Sequence, residues 1–291
     1  MDPELANKIV NENIKMHERD KDIYDNINPY MTNAFAQKEF DKDIEYLVSQ
    51  YKSGTVLKIL DCAAGTGNIT LKFLEKGHQV TAVDISQGML DVLREKSQNL
   101  SQNENDLTLV CSDLDLYFKE NKQSFDIVSY CSALHHLPYY METVLQSTNT
   151  LKSNGHLYIV FEPVLTAKRK KRIIKLIEVL DDWSCEFLQR KRYMPNKIVK
   201  SILRRINKKI KGGNKANSEV SSMPNDVNED LAEYYAVRGG IDDKALIDIL
   251  KHNNMQIITH EYYCVQRLPF FNFLGKLFGQ VNSLRLIAKK I

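Results

Sequence analysis

The chain contains no run of 18 apolar residues, so the sequence predicts no membrane-spanning helix. Its first residues, Met1-Asp2-Pro3-Glu4, lack the basic segment and the apolar core that mark a secretory signal. We therefore expect a cytoplasmic protein. A strongly basic stretch, described below, leaves open a peripheral position at a membrane surface.

Cysteine is also scarce, and its spacing is irregular. The five cysteines are odd in number and scattered, without the spacing that metal ligands show. They are Cys62, Cys111, Cys131, Cys185 and Cys264. Three of them fall in or beside predicted strands, where a thiol packs as a small apolar side chain. We interpret all five as core residues in a reducing compartment, and we expect neither disulfides nor a bound metal.

The most distinctive stretch joins a predicted strand to a predicted helix through a glycine-rich turn. The strand is the apolar run 56–60, and the helix is expected to end at Gly77. Between them, Gly65 and Gly67 lack the Cβ that would keep a ligand away from the backbone. Asp61 ends the strand, where a carboxylate repels phosphate and suits an ammonium group. A loop that cradles a dinucleotide pyrophosphate is therefore the poorer interpretation.

A second acid ends the next predicted strand. The run Val80-Thr81-Ala82-Val83 leads into Asp84, 17 residues after Gly67. This is close to the ~20-residue spacing at which an acid binds a ribose diol. Ribose and an ammonium group, with no phosphate between them, describe S-adenosylmethionine better than NAD. The loop and its two acids together predict a site for S-adenosylmethionine.

These features resemble the class I S-adenosylmethionine-dependent methyltransferases. Further stretches resemble the motifs that follow the third and fourth strands of that family and the turn into its fifth: residues 109–114, 124–137 and 151–159. Ala63 departs from the glycine that many members carry at its position. The resemblance covers roughly residues 40–163 and resumes from about residue 239 to the end.

The resemblance implies which residues hold the cofactor. Asp113 is expected to bind the adenine amino group, and Tyr24 to close on the methionine part from a helical segment. Packing of the N-terminal aromatic residues against the core is the alternative interpretation for Tyr24. The full set of expected cofactor-binding residues is Asp61, Ala63, Gly65, Gly67, Asp84, Ile85, Met89, Asp113, Leu114, Cys131 and Tyr24.

Strand and helix patterns alternate over residues 56–161, which predicts a parallel sheet with helices on both faces. The resemblance extends this α/β fold to a doubly wound, largely parallel, seven-stranded sheet closed by an antiparallel strand pair. Four parts are expected: a helical lid (1–50), a cofactor-binding core (51–163), a basic helical insertion with a mobile linker (164–230) and a C-terminal completion of the core (231–291).

His135 and His136 follow the fourth predicted strand and are the candidate catalytic residues. Histidine titrates near neutral pH and is suited to take a proton from an acceptor hydroxyl or amine. Packing within the loop is the competing interpretation. Methyl transfer from a sulfonium requires chiefly the alignment of acceptor, methyl group and leaving sulfur, so a strong base is not essential.

Two further stretches bear on the acceptor. Residues 166–215 carry 17 Lys and Arg against 4 Asp and Glu, a local net charge of +13 in a chain of net charge +3. Their amphipathic pattern is typical of a helix on an anionic membrane or one that binds phosphate, and equally of a solvated cap. The aromatic stretch 268–278 is interpreted by default as buried against the sheet. We expect the basic segment 166–211 and the aromatic stretch 268–278 to hold an anionic or lipid-linked acceptor together near the cofactor.

The sequence thus predicts an enzyme that moves a methyl group from S-adenosylmethionine directly to a small-molecule or lipid-linked acceptor. Two alternatives remain: a nucleic-acid methyltransferase that uses the basic insertion, and a non-catalytic subunit that binds the cofactor. Nucleic acid is the weaker choice. The fourth strand leads into Ser129-Tyr130-Cys131-Ser132-Ala133-Leu134, not the Asn/Asp-Pro-Pro-aromatic motif of enzymes that methylate base amino groups.

Overall fold

The computed structural model describes residues 1–98, 100, 106–165, 176–177, 179–181, 227–263, 269–278 and 281–291. The predicted basic segment 166–211 lies outside the described residues, apart from the two short pieces at 176–177 and 179–181. Cys185, Cys264 and the predicted linker as far as residue 226 also lie outside them, whereas residues 227–230 at the end of that linker are described and lead into a helix.

Within the described residues, seven strands form one sheet. They are β1 (Lys58–Cys62), β2 (Gln79–Asp84), β3 (Leu107–Cys111), β4 (Phe125–Cys131), β5 (Leu151–Pro163), β6 (Met255–Tyr263) and β7 (Ser283–Lys290). Their order is β3-β2-β1-β4-β5-β7-β6. Strands β1 to β5 pair in parallel, whereas β7 runs antiparallel to both β5 and β6. The predicted doubly wound sheet with a closing antiparallel pair is confirmed.

Helices connect and cover these strands. In the described residues they are α1 (Pro3–Asp20), α2 (Tyr24–Ile27), α3 (Pro29–Thr32), α4 (Ala34–Ser49), α5 (Thr70–Glu75), α6 (Gln87–Ser97), α7 (Leu114–Glu120), α8 (Tyr140–Asn149), α9 (Glu229–Ala232), α10 (Tyr234–Val237), α11 (Asp243–His252) and α12 (Pro269–Leu277). A 3-10 turn (Leu134–His136) follows β4. In this part of the chain no helix combines the length and the apolar character needed to cross a membrane.

Local sequence explains several helix boundaries. The Ser86 hydroxyl accepts a hydrogen bond from the N–H of Met89 and so caps α6. Asp242 caps α11 in the same way through the N–H of Ala245. Gly77, with φ +77°, follows the end of α5 in the left-handed conformation that glycine adopts without strain. Both caps and the glycine stop agree with the sequence-based expectation.

The sheet is covered on both faces, which explains its near-continuous apolar strands. In β1, Leu60 and Cys62 pack into one core together with Tyr140 of α8 and Leu246 of α11. Ile59 points to the other face, into a core that the apolar side chains of α4 and α5 complete. A buried central strand of this kind holds the loop at its C-terminal end in one position.

Cys111 and one face of α12 are exposed, although both were expected to be buried. Cys111 lies at the end of β3, an edge strand with a single neighbour, and its side chain is exposed, whereas Cys62 is buried. In α12, Phe271 is buried, but Phe270 and Phe273 are each 61% exposed. Helical periodicity places these two on the opposite side from Phe271. The interpretation as buried residues is therefore wrong for Cys111 and for the outer face of α12.

Candidate functional site

A cleft opens beyond the C-terminal ends of the parallel strands, around the point where the strand order reverses between β1 and β4. It encloses about 900 Å³ of empty space, counting its open mouth. This is the place where open α/β sheets bind ligands. The loops after β1, β2, β3 and β4 line it, together with α1 and α2.

Most of the predicted cofactor residues meet in this cleft. Those that line it are Asp61, Ala63, Gly65, Asp84, Ile85, Asp113, Leu114, Cys131 and Tyr24. Gly67 and Met89 lie behind this wall, Met89 being fully buried in α6. Of the two predicted catalytic histidines, His136 lines the cleft and His135 does not. The position of these residues at the ends of strands brings most of them to one cleft, but it does not determine which way each side chain faces.

Asp61 is a buried carboxylate held by hydroxyl and backbone donors. Its Oδ2 accepts from the N–H and the hydroxyl of Thr70 at 3.1 and 2.7 Å, and its Oδ1 accepts from the Ser129 hydroxyl at 2.8 Å. Burial raises the pKa of Asp61 to about 6 in spite of these donors, and the nearby charge of Asp84 adds to the rise. A cation in the cleft would favour the ionised form.

Asp84 joins the two loops that follow β1 and β2. Its Oδ2 accepts from the N–H of Gly65 at 2.7 Å, and its Oδ1 from the N–H of Ser86 at 2.9 Å. Burial raises the pKa of Asp84, while the nearby His17 ring opposes that rise. Each carboxylate oxygen accepts more than one hydrogen bond, so Asp84 retains capacity for hydroxyl groups of a ligand.

The glycines of the loop serve different purposes. A Cβ built on Gly65 meets no atom within 4 Å, so this glycine leaves room beside the cleft. A Cβ on Gly67 would lie 2.3 Å from Cδ1 of Leu93, so this glycine lets the loop pack against α6. Ala63 itself has φ +52°, a left-handed conformation that costs a non-glycine residue about 1–2 kcal/mol. Ala63 therefore takes, at some cost, a backbone conformation that glycine adopts without strain.

Helix α1 lies across the cleft and contacts loops on both sides of it. Near its end, the Glu18 carboxylate accepts from the Ser86 hydroxyl at 2.7 Å and from the N–H of Gly88 at 2.8 Å. In its middle, the Asn13 amide donates to the backbone carbonyl of His136 at 3.2 Å. Asn13 and His17 also line the cleft. The local sequence around Asn13, His17 and Glu18 does not assign them to the site.

A second contact fastens α2 to the glycine loop. The Thr66 hydroxyl donates to Oδ1 of Asp25 at 2.7 Å. The Lys96 ammonium pairs with the other carboxylate oxygen of Asp25 and also donates to the carbonyl of Thr66 at 3.1 Å. These three residues, which we call the Asp25 latch, hold the N-terminal segment that carries Tyr24 onto the rim of the cleft.

A buried acid organises the turn after β4. Glu162, at the end of β5, is fully buried and accepts from the N–H groups of Ala133 and Leu134 at 2.6 and 2.9 Å. It also faces Nδ1 of His135 at 2.9 Å. Burial alone lowers the pKa of His135, but the hydrogen bond and the charge of Glu162 reverse the direction and raise it. His135 is thus enclosed by protein groups.

Glu162 was missed from the sequence, although a signal for it exists. It is an acid at the C-terminal end of a buried strand, the same pattern that identified Asp61 and Asp84.

His136 differs from His135 in its surroundings. Burial, together with the neighbouring His135 and His17 rings, holds the pKa of His136 well below its ordinary value. Its ring is therefore neutral near pH 7.

Comparison with known proteins gives a consistent result. Residues 60–159 match the family model described as a methyltransferase domain. An uncharacterized methyltransferase of Schizosaccharomyces pombe is 35% identical over 112 residues, which are 37% of this chain and 39% of that protein. A demethylmenaquinone methyltransferase of Staphylococcus aureus is 32% identical over 103 residues, 34% of this chain and 40% of that protein. The chain thus spans about two fifths of the length of these curated relatives.

Among solved structures, the magnesium protoporphyrin IX methyltransferase of Synechocystis PCC 6803 with bound S-adenosylhomocysteine has a TM-score of 0.50 and 16% identity. The match covers 88% of this chain and 83% of that one. At this level of identity the likeness shows a shared fold.

Proposed function

We propose that this chain, which belongs through residues 60–159 to the class I S-adenosylmethionine-dependent methyltransferases, transfers a methyl group from that cofactor to a small-molecule acceptor in the same cleft. The observation that carries the proposal is the pair of buried carboxylates, Asp61 and Asp84, which line one cleft at the ends of adjacent strands. Two buried acids whose hydrogen-bond donors are backbone N–H and hydroxyl groups suit a ligand that brings both a positive charge and hydroxyl groups.

The residues of the cleft fit this cofactor. Asp61 would neutralise the ammonium group, because burial raises its pKa and a cation beside it would favour the ionised carboxylate. Asp84 would accept from the ribose hydroxyls with its remaining lone pairs. Ile85 and Leu114, which line the cleft, would provide apolar contact for the adenine, with Asp113 beside them. Gly65 leaves the space that the ligand needs next to the loop.

When bound, S-adenosylmethionine supplies a methyl group activated by the sulfonium charge. The chain contributes by holding the acceptor in line with that methyl group and by excluding water. Helix α1 and the Asp25 latch cover the cleft for this purpose. Of the two candidate histidines, we assign only His136 to the acceptor side, because it lines the cleft and is neutral, whereas His135 is enclosed with Glu162. Alignment, rather than a strong base, would provide most of the rate.

We infer that the acceptor is a small molecule that carries an aromatic ring and an apolar tail. The Staphylococcus aureus relative is named for demethylmenaquinone, which supports an acceptor of this class. The outer face of α12 offers a second support. Phe270, Phe273 and Leu277 are exposed there by 61, 61 and 65%, an apolar surface suited to an acceptor that resides in lipid. Peripheral membrane contact would follow from such an acceptor.

The test is turnover with labelled S-adenosylmethionine. The purified chain is incubated with prenylated hydroquinones, with the same rings lacking the tail, and with short RNA, while S-adenosylhomocysteine formation is followed. We expect product with the ring compounds, and faster with the prenylated ones. Tight cofactor binding without product from any acceptor would favour the non-catalytic alternative. Product from RNA alone would contradict the proposed acceptor class.

A further inference from the structure

Three side chains that could share one metal ion meet beside the cleft. One ligand atom from each of His135, His136 and Glu233 lies within 4.8 Å of the others. Glu233 Oε2 is 3.6 Å from Nε2 of His135, and its Oε1 is 4.0 Å from Nε2 of His136. The two rings belong to the turn after β4, whereas Glu233 lies between α9 and α10, far away in the sequence. Both Nε2 atoms therefore face the same carboxylate.

The other nitrogen of each ring is already committed. Nδ1 of His135 faces a carboxylate oxygen of Glu162 at 2.9 Å, and Nδ1 of His136 faces the carbonyl oxygen of Ala232 at 2.9 Å. Both partners accept hydrogen bonds, so each Nδ1 carries the proton. The nitrogen left for a metal is therefore Nε2 of each ring, and both Nε2 atoms face Glu233. Metal-binding histidines are oriented in this way, by a carboxylate or a carbonyl at the far nitrogen.

We propose that His135, His136 and Glu233 bind a divalent transition-metal ion of the zinc class. Two imidazoles and one carboxylate are a common ligand set for zinc and are less suited to magnesium or calcium, which prefer oxygen ligands. Glu162 and the Ala232 carbonyl orient the two rings. The fourth position is left for water or for an oxygen of a ligand in the cleft, because the His136 ring also lines it.

The ligands must move closer to bind the ion. Donors about 2.0–2.2 Å from one tetrahedral zinc lie roughly 3.3–3.5 Å from each other. The histidine–glutamate distances of 3.6 and 4.0 Å end on different carboxylate oxygens, so both must shorten, and no separation in the cluster can stay near its upper bound of 4.8 Å. The Glu233 side chain is 35% exposed and has room to move, whereas the His135 side chain, 7% exposed, is fixed. The carboxylate would therefore close onto a preformed pair of rings. The expectation that no metal is bound rested on the spacing of the cysteines, which does not bear on a site built from histidine and glutamate.

The test is a metal titration, which needs neither cofactor nor acceptor and is therefore independent of the proposed methyl transfer. The complete chain, free of any polyhistidine tag, is stripped with a chelator and titrated with Co²⁺, whose visible absorption reports imidazole ligation, and with Zn²⁺ by calorimetry. We expect a single equivalent of each ion to bind. Glu233→Gln should abolish this binding, and Glu162→Gln should weaken it about 10- to 100-fold by releasing the His135 ring.

Two variants serve as matched controls. Glu229→Gln removes a neighbouring acid that pairs with Arg19, and His252→Asn removes an exposed histidine of α11. Both should bind Co²⁺ like the unmodified chain. Equal Co²⁺ affinity in Glu233→Gln and the unmodified chain would overturn the proposal. So would the lack of any absorption change in the unmodified chain, even if Glu233→Gln lowered its melting temperature, because the cluster would then contain only ionic contacts.

Discussion

The backbone N–H of Gly65 donates a hydrogen bond to Oδ2 of Asp84 across 2.7 Å. This contact joins the loop after β1 to the end of β2, so the glycine loop and the acid assigned to ribose form one unit. The other Asp84 oxygen accepts from Ser86 at the start of α6. These hydrogen bonds hold the loop, Asp84 and the start of α6 in fixed relative positions. Such preorganisation lowers the cost of ordering the site when a ligand binds.

The two loop glycines should respond differently to the same substitution. Both have positive φ, so an alanine at either position costs about 1–2 kcal/mol of backbone strain. Gly67→Ala also drives a Cβ against Leu93 and should lower the free energy of unfolding further. Gly65→Ala, with open space around its Cβ, should fold but lose most of its affinity for S-adenosylhomocysteine. Urea unfolding and calorimetry check this, and equal stability losses for the two variants would contradict it.

Asp61 should make stability depend on pH. Burial raises its pKa to about 6, whereas the pKa of an unfolded aspartate is about 3.9. Between these values the folded chain holds a proton that the unfolded chain has released, so the free energy of unfolding falls as pH rises through this window. The shift corresponds to about 3 kcal/mol. Asp61→Asn should flatten this part of the curve in urea unfolding at a series of pH values.

Cofactor binding should have the opposite pH dependence. The ammonium group of the ligand pairs with the ionised Asp61, so affinity should rise between about pH 5 and pH 7. Asp84, whose pKa burial also raises, acts in the same direction. Replacing Asp61 and Asp84 by asparagine one at a time separates the two contributions. An affinity that stays constant over this range, measured at fixed ionic strength, would mean that neither carboxyl loses its proton on binding.

The Asp25 latch should affect binding more than stability. Asp25→Asn weakens the contacts with Thr66 and Lys96, a loss of about 1 kcal/mol. We expect about fivefold weaker S-adenosylhomocysteine binding, mainly through faster dissociation, and a nearly unchanged melting temperature. Asp22→Asn, at an exposed position three residues earlier, is the matched control. If both variants released the ligand at the same rate, the latch would have no role in retention.

Glu162 should matter mainly for the fold around β4. Glu162→Gln removes the charge that accepts from two backbone N–H groups and from His135, and should lower the free energy of unfolding by about 2–3 kcal/mol. Glu142→Gln, exposed on α8, should change it little. Denaturant unfolding of the two variants compares them directly. A loss below about 0.5 kcal/mol for Glu162→Gln would show that the turn does not depend on this acid.

Local patterns in the sequence predicted the sheet and its strand-end acids well. Asp61 and Asp84 were found because each directly follows an apolar run, and the topology of a parallel sheet brings such ends to one edge. The same pattern precedes Glu162, where the sequence analysis did not apply it. Gly67 and Met89 were assigned to the cleft by their position along the chain. Which way a loop residue faces depends on packing, here against Leu93 and within α6.

Contacts between distant parts of the chain could not be predicted. Glu18 reaches Ser86, and Asn13 reaches the carbonyl of His136, yet in the sequence each is one more polar residue of an exposed helix. Glu233 likewise approaches the histidine pair only because α9 and α10 pack beside the turn after β4. The local sequence did not predict the exposure of Phe270 and Phe273 either, because an apolar helical face has the same sequence pattern whether or not a partner covers it.

The central claim is that Asp84 holds the ribose of S-adenosylmethionine in the cleft. Calorimetry with S-adenosylhomocysteine tests it on the unmodified chain, on Asp84→Asn, and on Asp91→Asn, an exposed acid of α6. We expect Asp84→Asn, folded by circular dichroism, to bind roughly 1–3 kcal/mol more weakly, and Asp91→Asn to bind like the unmodified chain. Unchanged affinity in a folded Asp84→Asn variant would contradict the account.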